Sequence, residues 1–194
     1  MADININDVK KLRDETGVSI MQCKKALEES DGDIEKAKVV LRKISAQVAE
    51  KKADRDLGAG TVQAYVHANN SVCAVVVLAC ETDFVAKNEE FIKLAYDIAM
   101  HAAALAPQFL NADEVTEADT AAAKSVFVEE AADKPEEMRE KIVEGKMKSY
   151  LKEKVLLDQP FVKDGDKTVA TLVSEATQKF GERVEIAEFK RFAV

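Results

Sequence analysis

The run Val72-Cys73-Ala74-Val75-Val76-Val77-Leu78-Ala79-Cys80 is the longest uninterrupted apolar stretch of the chain, and it limits what the rest can do. It is far short of the roughly 20 residues a helix needs to cross a bilayer. Without polar alternation, and rich in Val, it reads as a strand covered on both faces. Such a strand needs partners. Residues 61–67 alternate, with Val62, Ala64 and Val66 on one face and Gln63, Tyr65 and His67 on the other. Ala68-Asn69-Asn70-Ser71 suits the hairpin turn between them, because Asn tolerates positive φ. Residues 183–194 supply a third strand. In it Val184 and Ile186 share one face and Ala187 and Phe189 the other, a change that predicts a bulge.

The stretch after the central strand is unusual. Cys80-Glu81-Thr82-Asp83-Phe84-Val85-Ala86-Lys87-Asn88 leads into a helical pattern that starts at Glu89. A strand-to-helix loop is normally polar, with Gly or Pro, because it lies in water. This one carries Phe84 and Val85 beside Asp83. Most loop aromatics are buried at home, so residue chemistry alone expects Phe84 to fold back as a lid on its own core. The other reading is a tip built to press into a partner.

The rest is written in helical periods. Residues 1–52 read as three short helices. Val9 and Leu12 mark the first, which Gly17 stops; Ser19 and Gln22 form a capping box for the second. Asp33 caps the third, whose stripe is Ile34, Ala37, Leu41, Ile44 and Val48. Ile20 and Met21 start the second helix, where they are either core or a recognition surface. Residues 53–60, with Gly58 and Gly60, form the best linker candidate, and residues 61–194 form the core domain. Within the core, Asn88 caps a helix with Phe91, Leu94, Ala95, Ile98, Ala102 and Leu105 on its buried face. Residues 121–132 form another. Pro135 opens a third, with Met138, Ile142, Tyr150 and Leu151 inward. Residues 168–179 form the last, with Val169, Leu172, Val173 and Ala176 inward and Gly181 as its stop. The fold class expected is α+β: a three-helix bundle, then a three-stranded antiparallel sheet packed with helices.

Charge and composition narrow the function. Residues 1–52 hold 11 basic and 10 acidic residues, whereas residues 53–194 hold 17 and 26, a net of −9. Nucleic-acid binders show a basic face, so a protein partner fits this balance better. Residues 111–144, with 11 acids against 4 basic residues, read as a solvated helix face. The N-terminal Met1-Ala2-Asp3 lacks the basic and apolar regions of a signal peptide, which favours a cytoplasmic protein. Three cysteines (Cys23, Cys73, Cys80) without a CxxC pair, and two histidines (His67, His101), give no zinc spacing; the thiols read as small buried groups. No phosphate-binding loop, glycine-rich nucleotide motif or catalytic triad occurs, so neither cofactor nor covalent chemistry is expected. An enzymatic reading would have to rest on His67, Cys73 and Cys80, which lack a visible acid–base partner.

Two long motifs carry a family resemblance. Residues 12–27, with Thr16-Gly17-Val18-Ser19-Ile20-Met21-Gln22-Cys23-Lys24-Lys25-Ala26-Leu27 followed by Asp31-Gly32-Asp33-Ile34, resemble the ubiquitin-associated (UBA-like) module that begins members of the elongation factor Ts family. Thr82-Asp83-Phe84-Val85-Ala86-Lys87-Asn88 is similar to that family's signature loop. Gln159-Pro160-Phe161-Val162 and Phe189-Lys190-Arg191-Phe192 resemble its later segments. The resemblance implies a guanine-nucleotide exchange factor for GDP-bound elongation factor Tu. It places Thr82, Asp83, Phe84 and Val85 against that partner, near its magnesium and phosphate groups, with Ile20 and Met21 docking separately. Beside the family's longer members, the chain is expected to hold one core subdomain, without an inserted coiled-coil hairpin or a C-terminal extension. It thus resembles the short bacterial form, for which a homodimer is expected. The competing expectation is a non-catalytic binding module: a UBA-like bundle on a dimerising scaffold.

Overall fold

The computed structural model describes residues 4–194; the acidic end Met1-Ala2-Asp3 lies outside the described residues. In chain order the elements are α1 (Ile6–Thr16), α2 (Ile20–Glu29), α3 (Ile34–Lys51), β1 (Ala59–Val66), β2 (Val72–Cys80), α4 (Asp83–Ala86), α5 (Glu89–Leu105), α6 (Glu117–Glu130), α7 (Glu136–Lys154), β3 (Pro160–Phe161), β4 (Asp164–Thr168), α8 (Val169–Phe180) and β5 (Val184–Ala193). Short 3-10 turns occur at Ala112–Glu114 and Leu156–Asp158. The fold is α+β, with an antiparallel sheet in the order β1-β2-β5.

The apolar run forms the middle strand, but its two faces are not covered equally: Ala74, Val76, Leu78 and Cys80 are buried, whereas Cys73, Val75 and Val77 on the other face are half-buried. The hairpin turn closes with His67 N–H donating to the Val72 carbonyl at 2.9 Å, and Asn70 takes φ 55°. On β5, Val184 and Ile186 are buried, then Phe189 and Arg191 are half-buried, so the inward side changes phase after Ile186. The β3–β4 hairpin is an addition to the sequence reading. Thr168, predicted to open a helix, ends β4 instead, and α8 starts at Val169.

The chain folds into two compact units, to both of which β1, β2, α5, α8 and β5 contribute residues. The first unit takes the chain up to Gln63 with Val77–Ala95 and Thr171–Ala187. Its helical bundle closes over Val9, Leu12, Val18, Cys23, Ala26, Leu27, Ala37 and Leu41. Gly17 ends α1 at φ 69°, its N–H donating to the Arg13 carbonyl at 2.7 Å; a side chain at that backbone angle would be strained. Ser19 accepts from the Gln22 N–H at 3.4 Å, but the predicted return bond is replaced. The Ser19 hydroxyl donates to Gln22 Oε1 at 3.2 Å instead. Asp33 caps α3 through the Lys36 N–H at 3.0 Å. The α3 stripe is buried at Ala37 and Leu41 and half-buried at Ile34, Ile44 and Val48. It also buries Ser45, which donates to the Leu41 carbonyl at 3.0 Å and bonds Gln178 of α8. Phe91 of α5 meets Phe180 of α8 edge-on at 5.7 Å. Gly60 passes so close to β2 that a Cβ there would lie 2.6 Å from the Leu78 carbonyl oxygen.

The second unit takes Ala64–Val76, Tyr96–Ala170 and Glu188–Val194. Buried Ile98, Ala102, Leu156 and Phe161 belong to its core. Leu105, predicted on the buried face of α5, is exposed at the helix end. The helix predicted over residues 121–132 starts earlier, at Glu117, because Thr116 and Asp119 form a reciprocal capping box. Pro135 is the N-cap of α7 rather than its first residue. Neither α6 nor α7 has a buried residue of its own. Of the predicted inner positions of α7, Met138 is exposed and Ile142, Tyr150 and Leu151 are only half-buried. The two helices face each other through an edge contact of Phe127 with Tyr150 at 6.2 Å, with the Lys146 ammonium 5.7 Å from the Phe127 ring centre.

Candidate functional site

β2 delivers the chain to Cys80, which is fully buried. The next residues do not form an open loop, as the sequence suggested. They coil into the single turn α4, with Ala86 N–H donating to the Thr82 carbonyl at 3.2 Å and Lys87 N–H to the Asp83 carbonyl at 3.1 Å. Successive side chains of a helix point about 100° apart, so one turn can send neighbours in opposite directions. Val85 points inward and is buried, whereas Phe84 is 81 % exposed. Phe84 is therefore not a lid: the turn that buries Val85 holds the ring out in water.

Asp83 and Lys87, four apart, form an ion pair at 2.6 Å on the outer side of the turn. The Lys87 ammonium holds the Asp83 carboxyl below the usual carboxylate range. Thr82, at the N-cap, makes no capping bond. Its N–H donates instead to Glu182 Oε2 at 3.0 Å and its hydroxyl to Glu182 Oε1 at 2.6 Å. The exchange is mirrored next door, where Arg183 N–H donates to Glu81 Oε1 at 2.5 Å. Glu81 also accepts from the Arg55 guanidinium, at 3.2 Å to each oxygen. These donors, Arg183 first, hold the Glu81 carboxyl below its ordinary value. Arg183 then donates to the Arg55 carbonyl at 2.6 Å, and the Lys52 ammonium bonds the Gly181 carbonyl. Sequence reasoning found none of Glu81, Glu182, Arg183 or Arg55 as site residues. Glu182 lies 100 residues from Thr82, and no local pattern marks it.

The second candidate surface is the first turn of α2. Ile20 is 54 % and Met21 83 % exposed, while Cys23, Ala26 and Leu27 of the same helix are buried. One helix thus presents an apolar pair outward while a separate apolar face builds the bundle. The reactive groups considered for an enzyme lie elsewhere. Cys23 and Cys80 are buried free thiols whose pKa burial pushes up, and Cys73 is half-buried. His67 shares a 3.0 Å hydrogen bond with the Tyr65 hydroxyl. His101, which the sequence marked only as lacking zinc spacing, is fully buried. Its Nδ1 accepts from the Val162 N–H at 3.2 Å, so Nε2 carries the proton towards Gln159 Oε1 at 2.8 Å. Burial lowers its pKa, opposed in part by Gln159. Among the described residues, no group of three or more His, Cys, Asp or Glu side chains could hold a metal ion. No helix among them is long and apolar enough to cross a membrane.

A family model described as Elongation factor TS matches residues 5–194, which contain both surfaces. The chain belongs to the elongation factor Ts family. The chain is 45% identical over 188 residues to an elongation factor Ts from Thermosipho melanesiensis, covering 96% of each chain. It is 43% identical over 193 residues to that of Herpetosiphon aurantiacus, covering 98% of each. It is 40% identical over 192 residues to that of Thermotoga maritima, covering 99% of this chain and 96% of the relative. Membership assigns a role in translation elongation.

Proposed function

We propose that this chain is a guanine-nucleotide exchange factor that promotes GDP release from elongation factor Tu, without covalent chemistry. The observation that carries the proposal is Phe84, an aromatic held 81 % exposed on a helical turn of its own. Leaving that ring in water forfeits roughly 1.5–3 kcal/mol that burial would supply. On a partner, the same burial can offset displacement of the groups that hold magnesium and phosphate. Asp83 and Thr82 flank the ring at the partner's surface, and Val85 acts from inside, as the buried foot of the turn. Residues 1–52 form the docking module, reaching the partner through Ile20 and Met21, with residues 53–60 as linker and residues 61–194 as core. Two modest contacts on one chain reinforce each other through effective concentration.

Exchange needs unfavourable coupling between this chain and GDP on the partner. The coupling is reciprocal: what weakens GDP weakens this chain equally when GDP returns. A coupling of about 4 kcal/mol corresponds to roughly a thousandfold in affinity. Assembly as a homodimer, in the cytoplasm, belongs to the same proposal. Its support is β1, an edge strand whose Val62 and Val66 are exposed. A second copy would cover such an edge.

The test is release of fluorescent GDP from elongation factor Tu under excess unlabelled GDP. Acceleration by substoichiometric amounts of this chain, lost in Phe84→Ala, is the expected result. Acceleration that survives the substitution would remove Phe84 from the mechanism. No acceleration would favour a binding module on a dimerising scaffold.

A further inference from the structure

We propose that Glu182 is a positioning residue for exchange, the half of a two-carboxylate clasp that fixes the Phe84 turn. The inference rests on the exchange reading above. A helix of four residues cannot hold itself together, because nucleation fixes several residues for very few hydrogen bonds. α4 also lacks the side-chain cap that its N-terminus would normally use. Something outside the turn has to hold it, and the structure shows what does. Glu182, in the turn between α8 and β5, takes both polar hydrogens of Thr82, from N–H at 3.0 Å and hydroxyl at 2.6 Å. Glu81 returns the favour to the Arg183 N–H at 2.5 Å. Two adjacent dipeptides, 81–82 and 182–183, thus each give one carboxylate and one backbone N–H. Hydrogen bonds to a carboxylate are roughly twice as strong as neutral ones, so this pairing sets the direction in which α4 starts.

The clasp also reaches the end of the helical bundle. Arg55 donates to Glu81 and accepts from Arg183 through its carbonyl, and Lys52 bonds the carbonyl of Gly181. Within the first unit, the segment that leaves α3 and the base of the Phe84 turn are therefore fastened at one place. Docking through α2 and insertion of Phe84 are then delivered by a single preorganised body, which avoids an ordering cost on binding. Removing Glu182 should leave docking intact and cost the insertion step, which is seen as a fall in maximal rate without a rise in KM.

The experiment measures GDP release as a function of elongation factor Tu–GDP concentration for the full chain and four variants, Glu182→Ala, Glu182→Gln, Thr82→Val and the pair Thr82→Val with Glu182→Ala. Glu182→Ala is expected to lower kcat on the order of tenfold and to leave KM within about twofold. Glu182→Gln keeps an acceptor for the N–H and a partner for the hydroxyl, so it should recover most of the rate. Thr82→Val and Glu182→Ala remove partners of one interaction, so the double variant should lose less than the product of the two single losses. Amide hydrogen exchange at Thr82 should quicken in Glu182→Ala, with the circular dichroism spectrum unchanged. If wild type accelerates release and Phe84→Ala abolishes it, but Glu182→Ala matches wild type in kcat, the clasp proposal falls alone. A Glu182→Gln variant as slow as Glu182→Ala, or a loss expressed in KM, would also overturn it. If wild type does not accelerate release, the exchange reading fails and takes this inference with it.

Discussion

α2 and α4 both offer exposed apolar side chains, but they are held in opposite ways. α2 is ten residues long and rests on Cys23, Ala26 and Leu27, so Ile20 and Met21 ride on a helix anchored by its own core face. α4 is four residues long with one buried side chain, Val85, and its base is held by the Glu182 carboxylate from elsewhere in the chain. The difference teaches which surface suits which task. On the exchange proposal, the rigid helical face suits docking, which does not depend on nucleotide leaving. A turn held by polar bonds at its base suits a probe that must enter a site and meet resistance there.

The comparison can be broken from the α2 side first. Leu27→Ala removes a fully buried side chain from the bundle and should cost about 2–5 kcal/mol in stability, measured by urea unfolding. A smaller loss would mean that α2 is not anchored by that face. From the α4 side, Phe84→Ala should leave stability within about 0.5 kcal/mol. It should slow maximal GDP release roughly tenfold to a hundredfold, matching the burial it forfeits. Should its effect lie in KM, the division of labour is reversed. Ile20→Ser with Met21→Ser should do the converse, raising KM about tenfold at unchanged kcat; a kcat effect would merge the two surfaces into one.

A pH series sharpens the polar half. The Glu81 carboxyl sits below its ordinary value of 4.5 in the folded chain. Its contribution is thus complete above that value and is lost as pH falls through the folded pKa. Exchange by wild type should decline on acidification below about pH 4.5 more steeply than exchange by Glu81→Gln, provided elongation factor Tu alone is measured as the baseline. His101 gives a contrast in the second unit. Its folded pKa lies below the ordinary 6.5, so neutral His101 is favoured by folding. Stability is complete above about 6.5 and falls as pH drops below it, because the unfolded chain takes up a proton first. In His101→Gln that decline should flatten in a thermal-melt series between pH 7 and 5. The smallest effect belongs to Asp83→Asn. Its pair with Lys87 is exposed on both sides, so stability should hardly change. A large change in exchange would then report contact with the partner rather than support of the turn.

Much of the fold was legible because it is written locally. The run Val72–Cys80 had to be a strand, Gly17 and Asp33 had to bound helices, and Asn69-Asn70 had to turn the hairpin. Legibility failed where a pattern has two physical outcomes. Met138 and Leu105 carry the spacing of a buried face yet are exposed, since periodicity says which residues align and not whether anything covers them. β3–β4 was missed because two- and five-residue strands leave too short a pattern. His101 and Ser45, polar groups on buried faces, were passed over because their partners Gln159 and Gln178 are distant in sequence.

By itself the sequence determined the class of fold, the two motifs and the identity of the aromatic at the tip of the turn. It could not determine which way Phe84 points. Residue chemistry favoured burial, because a Phe gains free energy wherever apolar surface is offered. The tertiary structure decided otherwise: Val85 occupies the inward position, and Glu81 and Glu182 hold a turn that cannot form alone. Orientation is set by groups that meet only after the chain has folded: Glu81-Thr82 at the base of the turn and Glu182-Arg183, about a hundred residues further along the chain.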